Sequence, residues 1–415
     1  MPRGPWLPPA LTKPRYRIYA VGMGISLMGY WVQTIALSWL VYRLTDSVFI
    51  LGLAGFMQQI PSLVVPPIAG MLADRLPRVK LVLILNLVLG LLALTLAILV
   101  WSGVKDVRIY LAMAFLTGCV AASEAPNRQS LVGAIVEEPA LLPSAIAFHS
   151  VIFNTGRMVG PTVAGLLLLV MSEAWCFFIN AISYVAVLIA FRMIGLKDGA
   201  RAKSQESFIA MLRSTAARVG ELPVARYFLP LVATAGLLAA PYQALMPSYV
   251  DDVLGGGTGT LGLLVGAAGA GALSAAIYLS LQTGGRAQLR LVQLAPFSLG
   301  LAVIGFGLSR SLPLSCLCLY AIGASIMCTT ATTNTLLQLS VDPGWRARVI
   351  GIFQMSFAGV NPVGSLIAGL VAARLGIGPT FVLNGALILL VGLLMRWRLK
   401  RSPDAARELE RVVGG

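Results

Sequence analysis

Long apolar segments recur along the whole chain, and they limit its fold more than any other feature. A helix needs about 20 consecutive apolar residues to cross the hydrocarbon core of a bilayer. Segments of this kind cover 16–42, 47–73, 80–101, 109–133, 142–170, 173–196, 225–250, 258–281, 291–309, 312–338, 348–374 and 376–396. The sequence therefore predicts an all-α membrane protein with twelve transmembrane helices.

The charge content supports this interpretation and argues against a soluble fold. Only 11% of the residues are charged, whereas a soluble domain carries about a quarter. The net charge of +15 comes from short basic clusters between apolar segments, which is typical of loops that orient a membrane protein. We therefore expect a lipid bilayer, and no nucleic acid, as the partner of this surface. The sequence contains no Walker-type phosphate loop, so no built-in ATPase is expected.

The distribution of Lys and Arg predicts the orientation of the chain. If the N-terminus is cytoplasmic, 25 of the 31 Lys and Arg residues fall on the cytoplasmic side and 5 on the opposite side. The remaining residue, Arg157, lies within a span. This bias predicts that both termini are cytoplasmic. No apolar core precedes Tyr16, so the first span is expected to direct the chain to the membrane.

A polar stretch at 197–223 divides the chain near its midpoint. Its apolar residues alternate with arginines at helical spacing, which predicts a short amphipathic helix on the membrane surface. We predict an N-terminal six-helix bundle, a cytoplasmic linker, a C-terminal six-helix bundle and a cytoplasmic tail, at 1–196, 197–224, 225–397 and 398–415. Polar and proline motifs recur in the same order in both halves, as in transporters whose substrate path runs between two repeats.

The cysteines and the single histidine give no sign of a metal site or a cofactor. All five cysteines lie in apolar segments, where they are expected to act as small hydrophobic residues. His149 is the only histidine, and Cys316 and Cys318 point to different faces of one predicted helix. An enzyme would need a convergent acid, base and nucleophile, or a metal, and the sequence offers no such set.

The loop between spans 2 and 3 carries the strongest local motif. Gly70 allows close helix approach, Asp74 suits a helix N-terminus, and Arg75 and Arg78 add positive charge. The spacing resembles the G-x-L-a-D-r-x-x-r-r/k loop of the major facilitator superfamily at each of its key positions. The resemblance implies a cytoplasmic latch in the outward-open state, in which Asp74 contacts the start of span 11 at 348–351.

Span 5 carries a second motif. Gly156, Gly160 and Gly165 permit tight helix contact, and Pro161 removes a backbone donor and favours a bend. One interpretation is a generic packing and kink motif. The pattern also resembles the G-x3-G-P-x2-G-G antiporter motif of exporters in the superfamily, with Ala164 in place of one glycine. That resemblance implies export.

Further segments resemble one branch of the superfamily. They are Gly29–Thr45 in span 1, Ala125–Gln129 at the end of span 4, and the Asn154, Arg157, Gly160 and Pro161 pattern in span 5. The chain is similar along its length to enterobactin exporters and macrolide-efflux proteins. The resemblance implies a monomer in the bacterial cytoplasmic (inner) membrane that exports a siderophore or a drug-like compound.

Three ionisable residues lie deep within predicted spans. At helical rise, Glu124 lies about 13 Å, His149 about 10 Å and Arg157 about 22 Å from the cytoplasmic end of its span. Such groups usually face a bundle interior or an aqueous cavity. One hypothesis is that Glu124, with His149, changes protonation during transport while Arg157 binds acidic groups. The alternatives are a structural pair of Glu124 with Arg128 and a packing role for His149.

Polar residues within the spans suggest a cavity lining. Amides facing lipid are costly, so they are expected to face inward or to join helices. The candidates for the cavity are Gln33, Gln58, Asn154, Tyr242 and Gln243.

The combined features predict a secondary exporter of a small amphiphilic molecule, working by proton antiport and alternating access. The alternatives are an uptake symporter on the same fold and, from another class, a non-transporting membrane sensor or a membrane-embedded enzyme. The sequence does not distinguish a siderophore from a hydrophobic drug as the substrate.

Overall fold

The computed structural model describes residues 8–65, 77–196, 208–281, 285–342 and 345–402, in which helices are joined by short turns and no strand occurs. The α-helices are α1 (Pro14–Thr45), α2 (Val48–Gln59), α3 (Arg78–Trp101), α4 (Val107–Val136), α5 (Leu142–Val170), α6 (Glu173–Ile194), α7 (Phe208–Glu221), α8 (Pro223–Thr234), α9 (Tyr242–Ser248), α10 (Thr258–Leu281), α11 (Gly285–Leu308), α12 (Leu312–Leu339), α13 (Arg346–Gln354), α14 (Asn361–Leu375) and α15 (Ile377–Lys400). Short 3-10 turns occupy Pro9–Thr12 and Pro139–Leu141.

The helices have the length and composition that a bilayer requires. Within the described residues, 11 helical segments are long and apolar enough to cross a membrane. Helix α5 adds a further 29-residue helix that contains the apolar stretch Val159–Val170. Many large apolar side chains remain exposed, as expected of surfaces that face acyl chains rather than water. The prediction of an all-α, multi-span membrane protein is confirmed.

The chain groups into two compact units. The first comprises Met1–Leu44 and Pro61–Lys203 and contains α1 and α3 to α6. Helix α3 packs along α6 and α4, and α5 contacts both α4 and α6. Its core is built from aromatic and branched side chains that are almost fully buried, among them Tyr16, Val82, Ile135 and Phe191.

The second unit comprises Thr45–Ile60 and Ser204–Gly415. Helix α10 packs along α12, and α11 packs along both α15 and α12. The unit also includes α2, because this helix lies against α14. The sequence analysis assigned α2 to the first half, and the division into two six-helix bundles stays a prediction. Helix α7 occupies most of the part of the predicted linker that the structure describes, and α8 begins within its last residues.

Two spans of the second unit are interrupted by π-helical turns, which the sequence analysis did not predict. The candidate span Pro223–Val253 contains π turns at Ala235–Ala239 and Tyr249–Val253, and the candidate span Arg348–Leu375 contains one at Met355–Gly359. Pro241 lies between the two π turns of the first of these spans. Because proline lacks a backbone donor, it helps to break the regular pattern of helical hydrogen bonds there. Such turns frequently occur at functional sites.

Candidate functional site

A buried ion pair forms the centre of the candidate site in the first unit. Glu124 and Arg128 lie one turn apart on α4 and are only 7% and 9% exposed. Arg128 Nε lies 2.9 Å from Glu124 Oε1 and 3.2 Å from Oε2. From α3, Asn86 Nδ2 donates to Glu124 Oε1 at 3.2 Å and to the Val82 carbonyl at 2.8 Å. The carboxylate is therefore held by a charge and by an amide from a neighbouring helix.

Tyr19 extends this cluster to α1. Arg128 Nη1 donates to the Tyr19 hydroxyl over a long distance of 3.4 Å. The ring of His149, on α5, stacks against the Tyr19 ring at 6.4 Å between centroids. The Nδ1 atom of His149 is buried and has no hydrogen-bond partner among the described residues. Four helices of the first unit thus contribute to the cluster of Tyr19, Asn86, Glu124, Arg128 and His149, which we call the carboxylate cluster.

The cluster contains two of the three ionisable residues that the sequence singled out. The pair of Glu124 with Arg128, considered above as a structural alternative, is formed. Whether Glu124 or His149 carries protons stays a hypothesis. Arg157 lies on α5, but its side chain falls outside the described residues.

Sequence reasoning missed Tyr19 and Asn86, although each left a signal. Asn86 interrupts the apolar run of α3, and an amide in such a run requires a partner. Tyr19 belongs to a tyrosine-rich and basic start of the first span. Neither signal identifies the partner, because α1, α3 and α4 meet only through tertiary packing.

The span-5 motif packs against α1. Gly156 and Gly160 are both buried, and a Cβ at Gly160 would lie 2.5 Å from Trp31 Cβ. Pro161 and Gly165 are also buried, and α5 continues through Pro161 without a break in its helical assignment. The motif therefore serves close helix contact in this structure, while its role in export stays a prediction.

The predicted cavity residues fall into both units. In the first, Gln33 is buried and its Oε1 accepts a hydrogen bond from Asn180 Nδ2 at 2.7 Å, which joins α1 to α6. In the second, Gln243 Nε2 donates to the Tyr242 hydroxyl at 3.3 Å on α9. Gln58 lies on α2, which packs against α9. Gln33 thus serves as an interhelical fastener through its oxygen.

Some predicted site residues lie outside the described part of the chain. These are the latch residues Gly70, Asp74 and Arg75, and the side chain of Asn154. Arg78 is described and begins α3 with an exposed side chain. The latch stays a prediction from the sequence motif.

The second unit holds its polar groups differently. Tyr249 lies in a π turn, and its hydroxyl bonds to the Phe306 carbonyl at 2.9 Å and to Ser315 Oγ at 3.0 Å. Ser315 Oγ in turn donates to Ser309 Oγ at 2.9 Å. Neutral hydroxyls and backbone carbonyls satisfy one another here, so this cluster carries no charge.

Known proteins resemble this chain over nearly its whole length. The staphyloferrin A transporter of Staphylococcus aureus is 24% identical over 372 residues, which cover 87% of this chain and 90% of that protein. Macrolide efflux protein A of Streptococcus pyogenes is 23% identical over 387 residues, which cover 91% of this chain and 94% of that protein. The crystal structure of the nucleoside transporter NupG matches this chain with a TM-score of 0.70 at 13% sequence identity. The match covers 93% of this chain and 99% of the NupG chain, which shows a shared fold.

The family match covers more of the chain than any single motif. A family model described as transmembrane secretion effector matches residues 4–411. The match and the relatives identify a membrane transporter rather than an enzyme. The chain belongs to the transmembrane secretion effector family of the major facilitator superfamily.

Proposed function

We propose that this protein is a secondary exporter of a small amphiphilic molecule, driven by exchange with protons. The observation that carries the proposal is the buried carboxylate of Glu124, which pairs with Arg128 on its own helix and accepts a hydrogen bond from Asn86 on α3. A buried, paired carboxylate within a span is costly to maintain, and such residues mark ion and substrate pathways.

The carboxylate cluster provides a mechanism for coupling. In its ionised form, Glu124 binds Arg128 directly and Asn86 through a hydrogen bond, so it links α4 to α3. Protonation removes the negative charge and with it the attraction for Arg128. Arg128 then keeps its bond to the Tyr19 hydroxyl on α1, to which Nη1 already donates at 3.4 Å. A proton at Glu124 thereby weakens the link between α4 and α3 and leaves the contact of Arg128 with α1 in place.

Export is favoured by the family and by the span-5 motif. The family is described as a secretion effector, and one relative is named as an efflux protein. The other relative is named as a transporter of staphyloferrin A, which makes a siderophore a candidate substrate beside a drug-like compound. An uptake symporter is the alternative that a flux measurement distinguishes.

We further propose that both termini face the cytoplasm, that the protein resides in a bacterial cytoplasmic membrane, and that it works as a monomer. The orientation rests on the 25-to-5 distribution of Lys and Arg. Reporter fusions at the C-terminus check it: a cytoplasmic reporter should be active and a periplasmic reporter inactive. The reverse result would contradict the orientation.

The coupling is tested in proteoliposomes with an imposed pH gradient. Ethidium and iron-free staphyloferrin A serve as substrates, one for each candidate class. The imposed pH gradient should drive the wild-type protein to move at least one of these substrates in the direction opposite to the protons. Glu124→Gln should abolish the dependence on the gradient while downhill movement persists. Gradient dependence that survives this substitution would remove Glu124 from the coupling step.

A matched control separates coupling from loss of charge. Glu138 is exposed and pairs with Lys13 near the end of α4. Glu138→Gln removes the same charge from the surface and should leave gradient-driven transport unchanged, since exposed ion pairs contribute little. Accumulation of substrate together with protons, rather than in exchange for them, would instead identify an uptake symporter.

A further inference from the structure

A groove opens in the second unit between α8, α11 and α15. It encloses about 250 Å³. Its walls are mainly apolar and include Phe228, Leu231, Pro296 and Met395. Two cations, Arg396 and Lys400, also line it. We call it the α15 groove. It belongs to the second unit, whereas the carboxylate cluster belongs to the first.

The two cations of the α15 groove are available for an anion. Arg396 and Lys400 lie one turn apart in the last two turns of α15, and both are exposed. Neither forms an ion pair with a carboxylate in the part of the chain that the structure describes. The Arg396 guanidinium also lies over the Phe297 ring, 5.9 Å from its centroid.

The residues around the groove are of the types that occur where lipid head groups meet acyl chains. Helix α15 exposes Leu390, Leu393 and Leu394 along its length, as a lipid-facing helix does. Trp397 is exposed one residue beyond Arg396, and aromatic residues of this kind concentrate at membrane interfaces. The basic end of the groove therefore faces head groups and the apolar part faces acyl chains.

We propose that the α15 groove binds an anionic phospholipid. Arg396 and Lys400 hold the phosphate, and one acyl chain lies along Phe228, Leu231 and Met395. Basic pockets between transmembrane helices attract anionic head groups through charge, and apolar walls add burial of the chain. If the proposed orientation holds, the lipid belongs to the cytoplasmic leaflet.

A groove in the equivalent place of the first unit gives a contrast. It runs between α1 and α6, encloses about 610 Å³, and is lined by apolar residues with a single cation, Arg17. Its helices are the first and last spans of the first half, as α8 and α15 belong to the first and last spans of the second. With one cation instead of two, this groove should select anionic lipids more weakly.

The test counts lipids on the purified full-length protein. Native mass spectrometry measures binding of phosphatidylglycerol and of phosphatidylcholine with identical acyl chains. The double variant Arg396→Gln/Lys400→Gln should weaken phosphatidylglycerol binding about tenfold or more, because each basic residue near the surface adds to the attraction. The control Arg398→Gln/Arg401→Gln removes two charges from the same helix end outside the groove and should change binding less than about twofold.

A second variant tests the apolar part independently of charge. Met395→Trp places a bulky side chain in the groove and should weaken binding of both lipids. Equal losses in the two double variants would show a diffuse surface charge and overturn the site. Wild-type protein that binds both lipids equally, or that forms a dimer through this face instead, would overturn the proposal as well. Each result is independent of whether the transporter exports or imports.

Discussion

The two units of the molecule differ in whether they bury charged side chains. Among the described residues, the buried charged side chains Glu124, Arg128 and Glu173 all lie in the first unit. The buried polar side chains of the second unit are hydroxyls and one amide, Asn384. Charge in a low-dielectric interior demands a partner, whereas a hydroxyl can bond to a nearby carbonyl of its own helix.

The two units also differ in the regularity of their helical backbone. In the first unit, α4 and α5 continue through Pro126 and Pro161 as single helices of 30 and 29 residues. In the second unit, the two spans with π turns meet each other, since Gly236 of one approaches the Phe357 carbonyl of the other. Among the described residues, the buried ion pair of Glu124 and Arg128 thus lies in the first unit and the π turns lie in the second. Substitutions in each unit test this difference.

The largest effect is expected from breaking the ion pair. Arg128→Met leaves the Glu124 carboxylate buried without its cation, which should lower the free energy of unfolding by about 3–5 kcal/mol. The double variant Glu124→Gln/Arg128→Met removes both charges and should recover most of this loss. Chemical unfolding in detergent measures both. A double variant as unstable as the single one would show that the charges do not act as a pair.

The contact between the π turns should give the next largest effect. A Cβ at Gly236 would lie 2.4 Å from the Phe357 carbonyl oxygen, and a backbone atom moves less easily than a side chain. Gly236→Ala should therefore lower the unfolding free energy by about 3 kcal/mol. Gly351→Ala is the control, because a Cβ there meets nothing within 4 Å. Equal stability of the two variants would show that the close contact is not required.

The substitution Gly160→Ala in the first unit should lower the unfolding free energy by less than Gly236→Ala does. A Cβ at Gly160 would lie 2.5 Å from Trp31 Cβ, but the next nearest atom, Trp31 Cγ, is 3.3 Å away, whereas three atoms lie within 3.1 Å of a Cβ at Gly236. Gly160→Ala should cost about 1–2 kcal/mol in thermal or chemical unfolding. The matched control is Gly24→Ala on α1, where the nearest atom, Ile152 Cγ2, lies at 3.8 Å. A larger cost for the control would contradict the assigned packing.

The smallest effects are expected from the hydroxyls of the second unit. Thr333 is fully buried, and its Oγ1 has no hydrogen-bond partner among the described residues. Thr333→Val keeps the shape and should leave stability unchanged or slightly higher, because it removes an unsatisfied polar atom. Ser315→Ala, by contrast, takes a bond from Tyr249 and should cost about 1 kcal/mol. A large loss in Thr333→Val would indicate an unrecognised partner.

The sequence by itself determined the number and extent of most spans, because crossing a bilayer depends on a local property, the length of an apolar helix. It also identified Arg128 as a possible partner of Glu124, since two residues one turn apart on a helix necessarily lie close together. The family followed from short motifs for the same reason: the residues of each are neighbours in the chain.

Only the tertiary structure decided which distant residues meet. Asn86 and Tyr19 join Glu124 and Arg128 through the packing of separate helices, and no spacing in the chain encodes that contact. The π turns and the packing of α2 against α14 likewise depend on how neighbouring helices fit together. Apolar patterning specifies that a helix is buried in a bilayer or a bundle, whereas the shapes of the facing side chains specify its partner.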